Sequence, residues 1–324
     1  MEELLAYLQP ELERVNDFIN LALLSDIPLL NSVNSSLREH PGKMMRPMLA
    51  LLVAGAAGRA TEDTYRFAAA TELLHNATLL HDDVVDGATE RRGLPTVSSV
   101  LGGSAAVLIG DYWLEKCLRL VLGARRETDR VLRLFAQTIG HLTEGELLQM
   151  QKATSADTTE DDYHRIIYGK TGSLFESAAL SAAISVGASE AEERAVGDFA
   201  LQLGLAFQVK DDIFDYDEQA ASLGKPVGID LLEQKITQPL LSALETVTET
   251  EQKHIRSLVA RIVDEPSLAG EVTAFVKARR GVELATVKME EHVKKAISYL
   301  EILPESREKS YLAKLARYVG QRDK

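Results

Sequence analysis

All-α is the fold class that the sequence predicts, and three observations predict it. Prolines stand at 10, 28, 41, 47, 95, 226, 239, 266 and 304, which leaves the 130 residues from 96 to 225 without the strongest helix breaker. That interval is rich in Ala, Leu, Glu, Gln and Arg, and its apolar residues recur at helical spacing, as in Val131, Leu134, Phe135, Thr138 and Leu142. Alternating strand patterns and Asn-Gly or Asp-Gly hairpin signals are nearly absent.

Helix boundaries are expected at HPGK (40–43), GATERRGLP (87–95), GARRETD (123–129) and KATSADTTEDD (152–162). Further ones are expected at SVGASEAE (185–192), ASLGKPVGID (221–230) and TETEQ (248–252). The 324 residues would allow two domains. No Pro/Gly/Ser linker divides them, however, and no repeat recurs at solenoid period. One domain spanning 1–324 is expected.

Composition narrows the function. A chain with 45% hydrophobic and 26% charged residues is globular, not disordered or collagen-like. Its 49 acids against 36 bases give a net charge of -13, which excludes a polybasic surface for nucleic acid or anionic lipid. An anionic ligand would need a local gathering of cations or bound metal ions. The lone Cys117 cannot form an intrachain disulfide, which suits a reducing compartment. MEELLAYLQPELERV carries acid where a signal peptide needs positive charge. The longest apolar stretches, such as 48–58, fall short of the roughly 18 residues that span a bilayer. A soluble, cytoplasmic protein that does not span the membrane is expected.

Two acidic constellations carry the chemistry. In TELLHNATLLHDDVVD (71–86), His75, Thr78, Leu79, Asp82 and Asp86 fall on one helical stripe. Asp82 and Asp86 are one turn apart with Asp83 beside them, and like charges at that spacing weaken a helix by a few tenths of a kcal/mol. A solvated acidic face is the plainer reading of one DDxxD. The apolar neighbours Ala77, Leu79, Leu80, Val84 and Val85 argue for a bound cation instead, and hard carboxylate oxygens suit Mg2+. Arg91 and Arg92 follow at once, with forks that match phosphate oxygens.

FQVKDDIFD (207–215) repeats the spacing at Asp211, Asp212 and Asp215, with Gln208 one turn earlier. The second motif starts 129 residues after the first (211 − 82), and chance no longer explains the pair comfortably. Facing each other across a helical bundle, two such turns would hold a cluster of divalent ions. Lys225 and Lys235 lie downstream, Lys43 and Arg46 lie at a proline-bounded helix start, and Lys170-Thr171-Gly172 is a weaker fifth element.

The chain resembles the trans-isoprenyl diphosphate synthases (polyprenyl synthetases), in particular their long-chain octaprenyl and solanesyl type. The resemblance rests on GKMMRP (42–47), DDVVDGATERRG (82–93), Lys170-Thr171, the second motif with Gln208, and the late lysines, in order over about 195 residues. It implies an isoprenoid-synthase bundle with a deep central cavity, and a magnesium-dependent prenyltransferase that joins isopentenyl diphosphate to an allylic diphosphate such as farnesyl diphosphate. A homodimer is the implied assembly.

By the same resemblance, Asp82, Asp83, Asp86, Asp211, Asp212 and Asp215 are catalytic acids, and Asp82, Asp86, Asp211 and Asp215 are metal ligands. Arg91, Lys170, Thr171, Gln208, Lys225 and Lys235 become allylic-site contacts. Lys43, Arg46, His75 and Arg92 become the isopentenyl site, while His81 packs or caps the network. Two departures stand out: Met44-Met45 precedes Arg46, and Gln234 replaces the glycine that usually precedes the second lysine. Both bear on loop geometry. The basic end of the chain, AKLARYVGQRDK, either closes over the site or is solvated, and the solvated reading is the one expected.

The implied chemistry needs no protein nucleophile. Cations neutralise a diphosphate as it leaves C1, the isopentenyl double bond attacks, and a proton is lost. Apolar helix walls keep water from the cation. The growing chain would run along the first aspartate helix, meeting the small Ala77 and Thr78 where short-chain members carry a bulky aromatic. Each helical turn of about 5.4 Å adds depth for roughly one isoprene unit. Trp113, Leu114, Cys117, Leu118 and Val121 are candidates for a deeper floor or for ordinary core. A product longer than geranylgeranyl is expected, with geranylgeranyl or farnesyl as the alternative.

A class I terpene synthase is a rival, but its second metal motif usually follows an Asn/Ser/Glu pattern, and it has no need of Lys43, Arg46 and His75. A metal-dependent phosphohydrolase, prompted by His81-Asp82, would need further ligating histidines, and those at 40, 75, 141, 164, 254 and 292 show no such spacing. A non-catalytic partner subunit would typically have lost aspartates, and here both motifs are complete.

Overall fold

Capping and apolar spacing set the helices of the computed structural model, which describes residues 1–39, 42–91, 93–217 and 228–322. Helix α1 (Glu2–Ala22) buries Leu4, Leu8, Val15 and Ile19 as one stripe, and Pro10 lies inside it. Helix α2 (Pro28–Glu39) opens on a proline, which costs nothing where the N–H has no helical partner. Helix α3 (Met45–Ala57) is buried almost all round. Thr61 caps α4 (Glu62–Val85) in a reciprocal box with Thr64. A two-residue antiparallel hairpin, β1 (Glu90–Arg91) and β2 (Leu94–Pro95), leads to α5 (Val97–Leu101) and α6 (Gly103–Leu122).

Helix α7 (Thr128–Ser155) ends before the Thr159-capped α8 (Glu160–Ile167). A π-helical turn, Tyr168–Gly172, joins α8 to α9 (Ser173–Val186), and α10 (Glu190–Phe214) follows. The remainder is α11 (Ile229–Leu232), α12 (Gln238–Leu244), α13 (Glu249–Arg261), α14 (Leu268–Ala278), α15 (Gly281–Tyr299) and α16 (Arg307–Gln321). The expected all-α class is met, and the hairpin is the only strand pairing among the described residues. No described helix is long and apolar enough to cross a membrane.

The chain forms two compact units, each assembled from three stretches of sequence. The first comprises 1–137, 177–197 and 302–312. Helix α4 is its hub, with α1, α3, α5 and α6 packed on it. Distant stretches are tied in by side chains: the Thr64 and Ser185 hydroxyls meet at 2.5 Å, and Tyr311 donates to Glu3 at 2.9 Å.

The second unit comprises the described residues of 138–176, 198–301 and 313–322. Every residue of α12 is buried, and α8, α14 and α15 pack on it.

Candidate active site

The first aspartate motif occupies the last turn of α4. Ala77, Leu80 and Asp83 point into the first unit, while His75, Thr78, Leu79 and Asp82 are half-buried and Asp86 is exposed. The less buried face is therefore the expected stripe. Asp82, Asp83 and Asp86 stand at the negative end of the helix dipole, with no basic residue in that turn. The dipole works against all three, which favours a cation beside them.

Asp83 departs from the expected trio. It is buried, and its Oδ1 accepts Arg91 Nε at 2.7 Å, while its carbonyl accepts the Ala88 N–H at 3.0 Å. The pair pins the hairpin to α4, so Asp83 anchors the loop, and Arg91 is held by Asp83. His81 turns to α6: a Cβ on Gly110 would lie 2.3 Å from its Nε2, so the imidazole packs over the bare backbone of that glycine and would have to move for a larger residue. Lys43 and Arg46 flank the start of α3, as expected, and Met44 caps it in the left-handed region at φ 51°. Arg92 lies outside the described residues.

Of the residues expected to bound a growing chain, Ala77, Trp113, Cys117 and Val121 are buried, whereas Thr78, Leu114 and Leu118 are half-buried. Trp113 is fixed: its Nε1 donates to Asn34 Oδ1 at 2.9 Å, and Asn34 Nδ2 donates to the Leu23 carbonyl at 2.8 Å.

The second unit holds a cleft of about 190 Å³ whose lining includes Gln149, Tyr163, Lys170, Gln208, Asp212 and Lys235. The π-turn supplies Lys170 and Thr171. It is hemmed in by two glycine contacts. A Cβ on Gly145 would lie 2.9 Å from Gly169 Cα and from Lys170 N, and one on Gly204 would lie 2.9 Å from Gly172 Cα. Backbone against backbone on both sides, the segment accommodates a wider turn, a feature common at functional sites. Lys170 Nζ reaches Glu146 Oε2 at 2.5 Å. Thr171 Oγ1 donates to Gln208 Oε1 at 2.7 Å, and Gln208 Nε2 donates to Asp212 Oδ1 at 3.0 Å.

Each acid of the second motif has a different partner. Asp211 Oδ1 meets Arg322 Nη2 at 2.5 Å. Asp212 is buried and accepts the Tyr163 hydroxyl at 2.5 Å; burial and the adjacent Asp211 push its carboxyl up to about 6 against the pull of those hydrogen bonds. Asp215 accepts the backbone N–H of Ile229 at 3.0 Å and of Asp230 at 3.1 Å, so it caps α11. Burial raises its carboxyl despite those donors. Burial, with Asp212 and Asp215 nearby, also drives Asp230 well above the carboxylate range.

The basic C-terminal stretch corrects an expectation. Arg322 is buried, not solvated: it also donates to the Phe207 carbonyl at 3.1 Å, and its guanidinium lies 3.9 Å from the Phe207 ring centroid. Gln234, standing where a glycine was expected, adopts φ 57°, the left-handed conformation glycine would take without strain. Its amide donates to the carbonyls of Ala260 at 2.8 Å and Val259 at 3.2 Å, at the end of α13. Lys235 then pairs with Glu233 and lines the cleft. Lys225 lies outside the described residues.

Among the described residues no three His, Cys, Asp or Glu side chains form a metal cluster. In the first unit, the Asp82 and Asp86 carboxylates are of the kind that holds a cation whose shell is completed by water and phosphate oxygens, and in the second unit the Asp211 carboxylate is of the same kind.

Residues 27–276 match the model of the polyprenyl synthetase family. The chain belongs to the polyprenyl synthetases. It is 36% identical over 316 residues to an octaprenyl diphosphate synthase of Haemophilus influenzae, covering 98% of this chain and 95% of that one. The crystal structure of a decaprenyl diphosphate synthase from Rhodobacter capsulatus superposes with a TM-score of 0.91 at 33% identity, covering 100% and 99% of the two chains. A polyprenyl synthase from Caulobacter crescentus, complexed with calcium and isoprenyl diphosphate, gives 0.88 at 29% identity, with 99% and 97% covered. As a polyprenyl synthetase, the chain is a prenyltransferase with the isoprenoid-synthase fold.

Several residues of this polyprenyl synthetase escape the motif reading. Tyr163, Ile166 and Ile167 line one cleft wall at i, i+3 and i+4, one turn ahead of the expected Lys170, a spacing visible in the sequence. Glu146, Asp230 and Arg322 carry no comparable local signal.

Proposed function

We propose that this prenyltransferase extends an allylic diphosphate, such as farnesyl diphosphate, with isopentenyl units to a product longer than geranylgeranyl diphosphate. The observation that carries it is the convergence of Lys170, Gln208 and Lys235 on one cleft, in a chain of the polyprenyl synthetase family. The cleft takes the allylic diphosphate, and the cations and amide donors there hold its oxygens. Lys43, Arg46, His75 and Arg92 serve isopentenyl diphosphate. Asp82, Asp86 and Asp211 are the carboxylates that would hold the divalent cation, which we take to be Mg2+, as calcium accompanies isoprenyl diphosphate in the Caulobacter relative.

When bound, the cation neutralises charge that develops on the departing diphosphate. Lys170 and Lys235 share that load, and the Ile166 and Ile167 side chains keep water from the allylic carbon. Product length rests on the small Ala77 and Thr78 one turn before Asp82, and on relatives that make octaprenyl and decaprenyl diphosphates. We further propose that 1–324 acts as one catalytic domain, since neither unit is contiguous in sequence. A cytoplasmic homodimer is part of the proposal; exposed Val100, Val107 and Leu108 around the α5–α6 junction support the assembly.

The test is condensation by the purified chain with Mg2+, radiolabelled isopentenyl diphosphate and farnesyl diphosphate. Mg2+-dependent incorporation is expected, and its absence with farnesyl and shorter starters contradicts the proposal.

A further inference from the structure

The polar wall of the second unit's cleft is one hydrogen-bonded chain. The Tyr163 hydroxyl meets Asp212 Oδ2 at 2.5 Å, Asp212 Oδ1 meets Gln208 Nε2 at 3.0 Å, and Gln208 Oε1 meets Thr171 Oγ1 at 2.7 Å. Tyr163 and Asp212 are buried, and the chain joins α8, α10 and the π-turn. Asp212 also receives the backbone N–H of Gln238.

The direction of each bond follows from its chemistry. A carboxylate only accepts, so the phenol and the amide N–H both donate to Asp212. That orients the Gln208 amide with its nitrogen toward Asp212 and its oxygen toward Thr171. The Thr171 hydroxyl has a single proton, and Gln208 Oε1 takes it. Phosphate oxygens are acceptors as well, so Thr171 and Tyr163 have no proton left for them. Gln208 does: its amide carries two N–H groups, and Asp212 uses one.

We infer that Tyr163 is a positioning residue, which acts through Asp212 to fix the Gln208 amide so that its second N–H is the donor offered to a diphosphate. Thr171 is the orienting partner of Gln208 and makes no donor contact of its own. Asp212 commits one lone pair of each carboxylate oxygen to this task. The inference rests on the proposed reading of the cleft as the allylic diphosphate site. It redistributes the roles of Thr171, Gln208 and Asp212 and adds Tyr163.

The relay makes a prediction about coupling. Residues acting through one chain of hydrogen bonds lose their effect together, whereas independent contacts lose theirs additively. Binding of inorganic diphosphate in the presence of Mg2+ is to be measured by calorimetry for wild type, Tyr163→Phe, Thr171→Val, Thr171→Ser and the Tyr163→Phe/Thr171→Val double variant. Each of Tyr163→Phe and Thr171→Val is expected to weaken binding about tenfold, the effect of losing one oriented donor. Thr171→Ser keeps the proton and is expected to bind within about twofold of wild type. The double variant is expected to be no weaker than the worse single variant. In turnover, KM for the allylic diphosphate rises while KM for isopentenyl diphosphate stays fixed.

Wild-type affinity in Tyr163→Phe, or an additive loss of about a hundredfold in the double variant, overturns the inference. If Tyr163→Phe does not fold, the Thr171→Val and Thr171→Ser pair decides, and wild-type affinity in Thr171→Val refutes the relay. Absence of condensation by the wild-type protein would instead defeat the proposed function, and diphosphate calorimetry would still read the relay.

Discussion

Arg322 and Asp211 form an ion pair at 2.5 Å in which the arginine side chain is 5% exposed and the aspartate 41%. The guanidinium sits over Phe207 and pairs with Asp211 Oδ1. A divalent cation bound at Asp211, as proposed, would compete with Arg322 for this carboxylate. Arg322→Met is therefore expected to tighten Mg2+ binding about threefold to tenfold by calorimetry, since a directly opposed charge is removed. The same variant should lower stability by about 1–3 kcal/mol through lost packing and pairing. Unchanged or weaker Mg2+ affinity would contradict the competition.

Gln234 shows how a loop without the usual glycine keeps its shape. A left-handed backbone costs a non-glycine residue about 1–2 kcal/mol. The two hydrogen bonds to the end of α13 offset that cost. Gln234→Ala keeps the strain and loses the bonds, so it should destabilise the protein by about 1–2 kcal/mol in urea unfolding. Gln234→Gly should recover most of that loss. If alanine matches wild type, the amide is not what holds the turn.

The π-turn depends on Gly145. Any side chain there meets Gly169 Cα and Lys170 N at 2.9 Å, and both are backbone atoms that cannot rotate aside. Gly145→Ala should cost about 1–3 kcal/mol, the range for overpacking. It should also raise KM for the allylic diphosphate, because Lys170 moves with the turn. A variant with wild-type stability and KM would show that the turn is not held by this contact.

His292 gives the second unit a pH dependence. Burial, then the neighbouring His164 and Lys295, hold its imidazole down at about 4, with Glu160 pulling the other way, and its Nδ1 lies 2.7 Å from Gln202 Oε1. In the unfolded chain the ring titrates near 6.5. Between those values the unfolded state binds the proton and the native state does not, so stability falls as pH drops from about 6.5 toward 4. The contribution is on the order of 1–3 kcal/mol, and it is flat above about pH 7. His292→Gln should lose this part of the acid sensitivity of Tm. Identical Tm–pH curves for variant and wild type would refute it.

What the sequence discloses follows from how local each feature is. The two DDxxD spacings and the capping residues act within one helical turn, so α4, α10 and their acids are legible from residue order alone. Asp83 is not: only the hairpin return that brings Arg91 to it separates an anchoring acid from its neighbours. The π-turn depends on glycines 24 and 32 residues away from their partners (169 − 145 and 204 − 172). Tyr163 and Arg322 meet the second motif across 49 and 111 residues. A burial pattern reports that a side chain is covered, but not by which distant residue. Gln234 is a mixed case, since the missing glycine is visible in the sequence whereas its hydrogen bonds to α13 are not.

We propose that this polyprenyl synthetase builds long chains past a small constriction on α4. Thr78, half-buried on the stripe that carries Asp82, would border that path more directly than the buried Ala77. The most direct measurement resolves by chain length the products that wild type and Thr78→Phe make from farnesyl diphosphate, radiolabelled isopentenyl diphosphate and Mg2+. Wild-type products beyond geranylgeranyl are expected, with products shorter by at least one isoprene unit in Thr78→Phe. A wild-type reaction that stops at geranylgeranyl, with Thr78→Phe giving the same product, would contradict it.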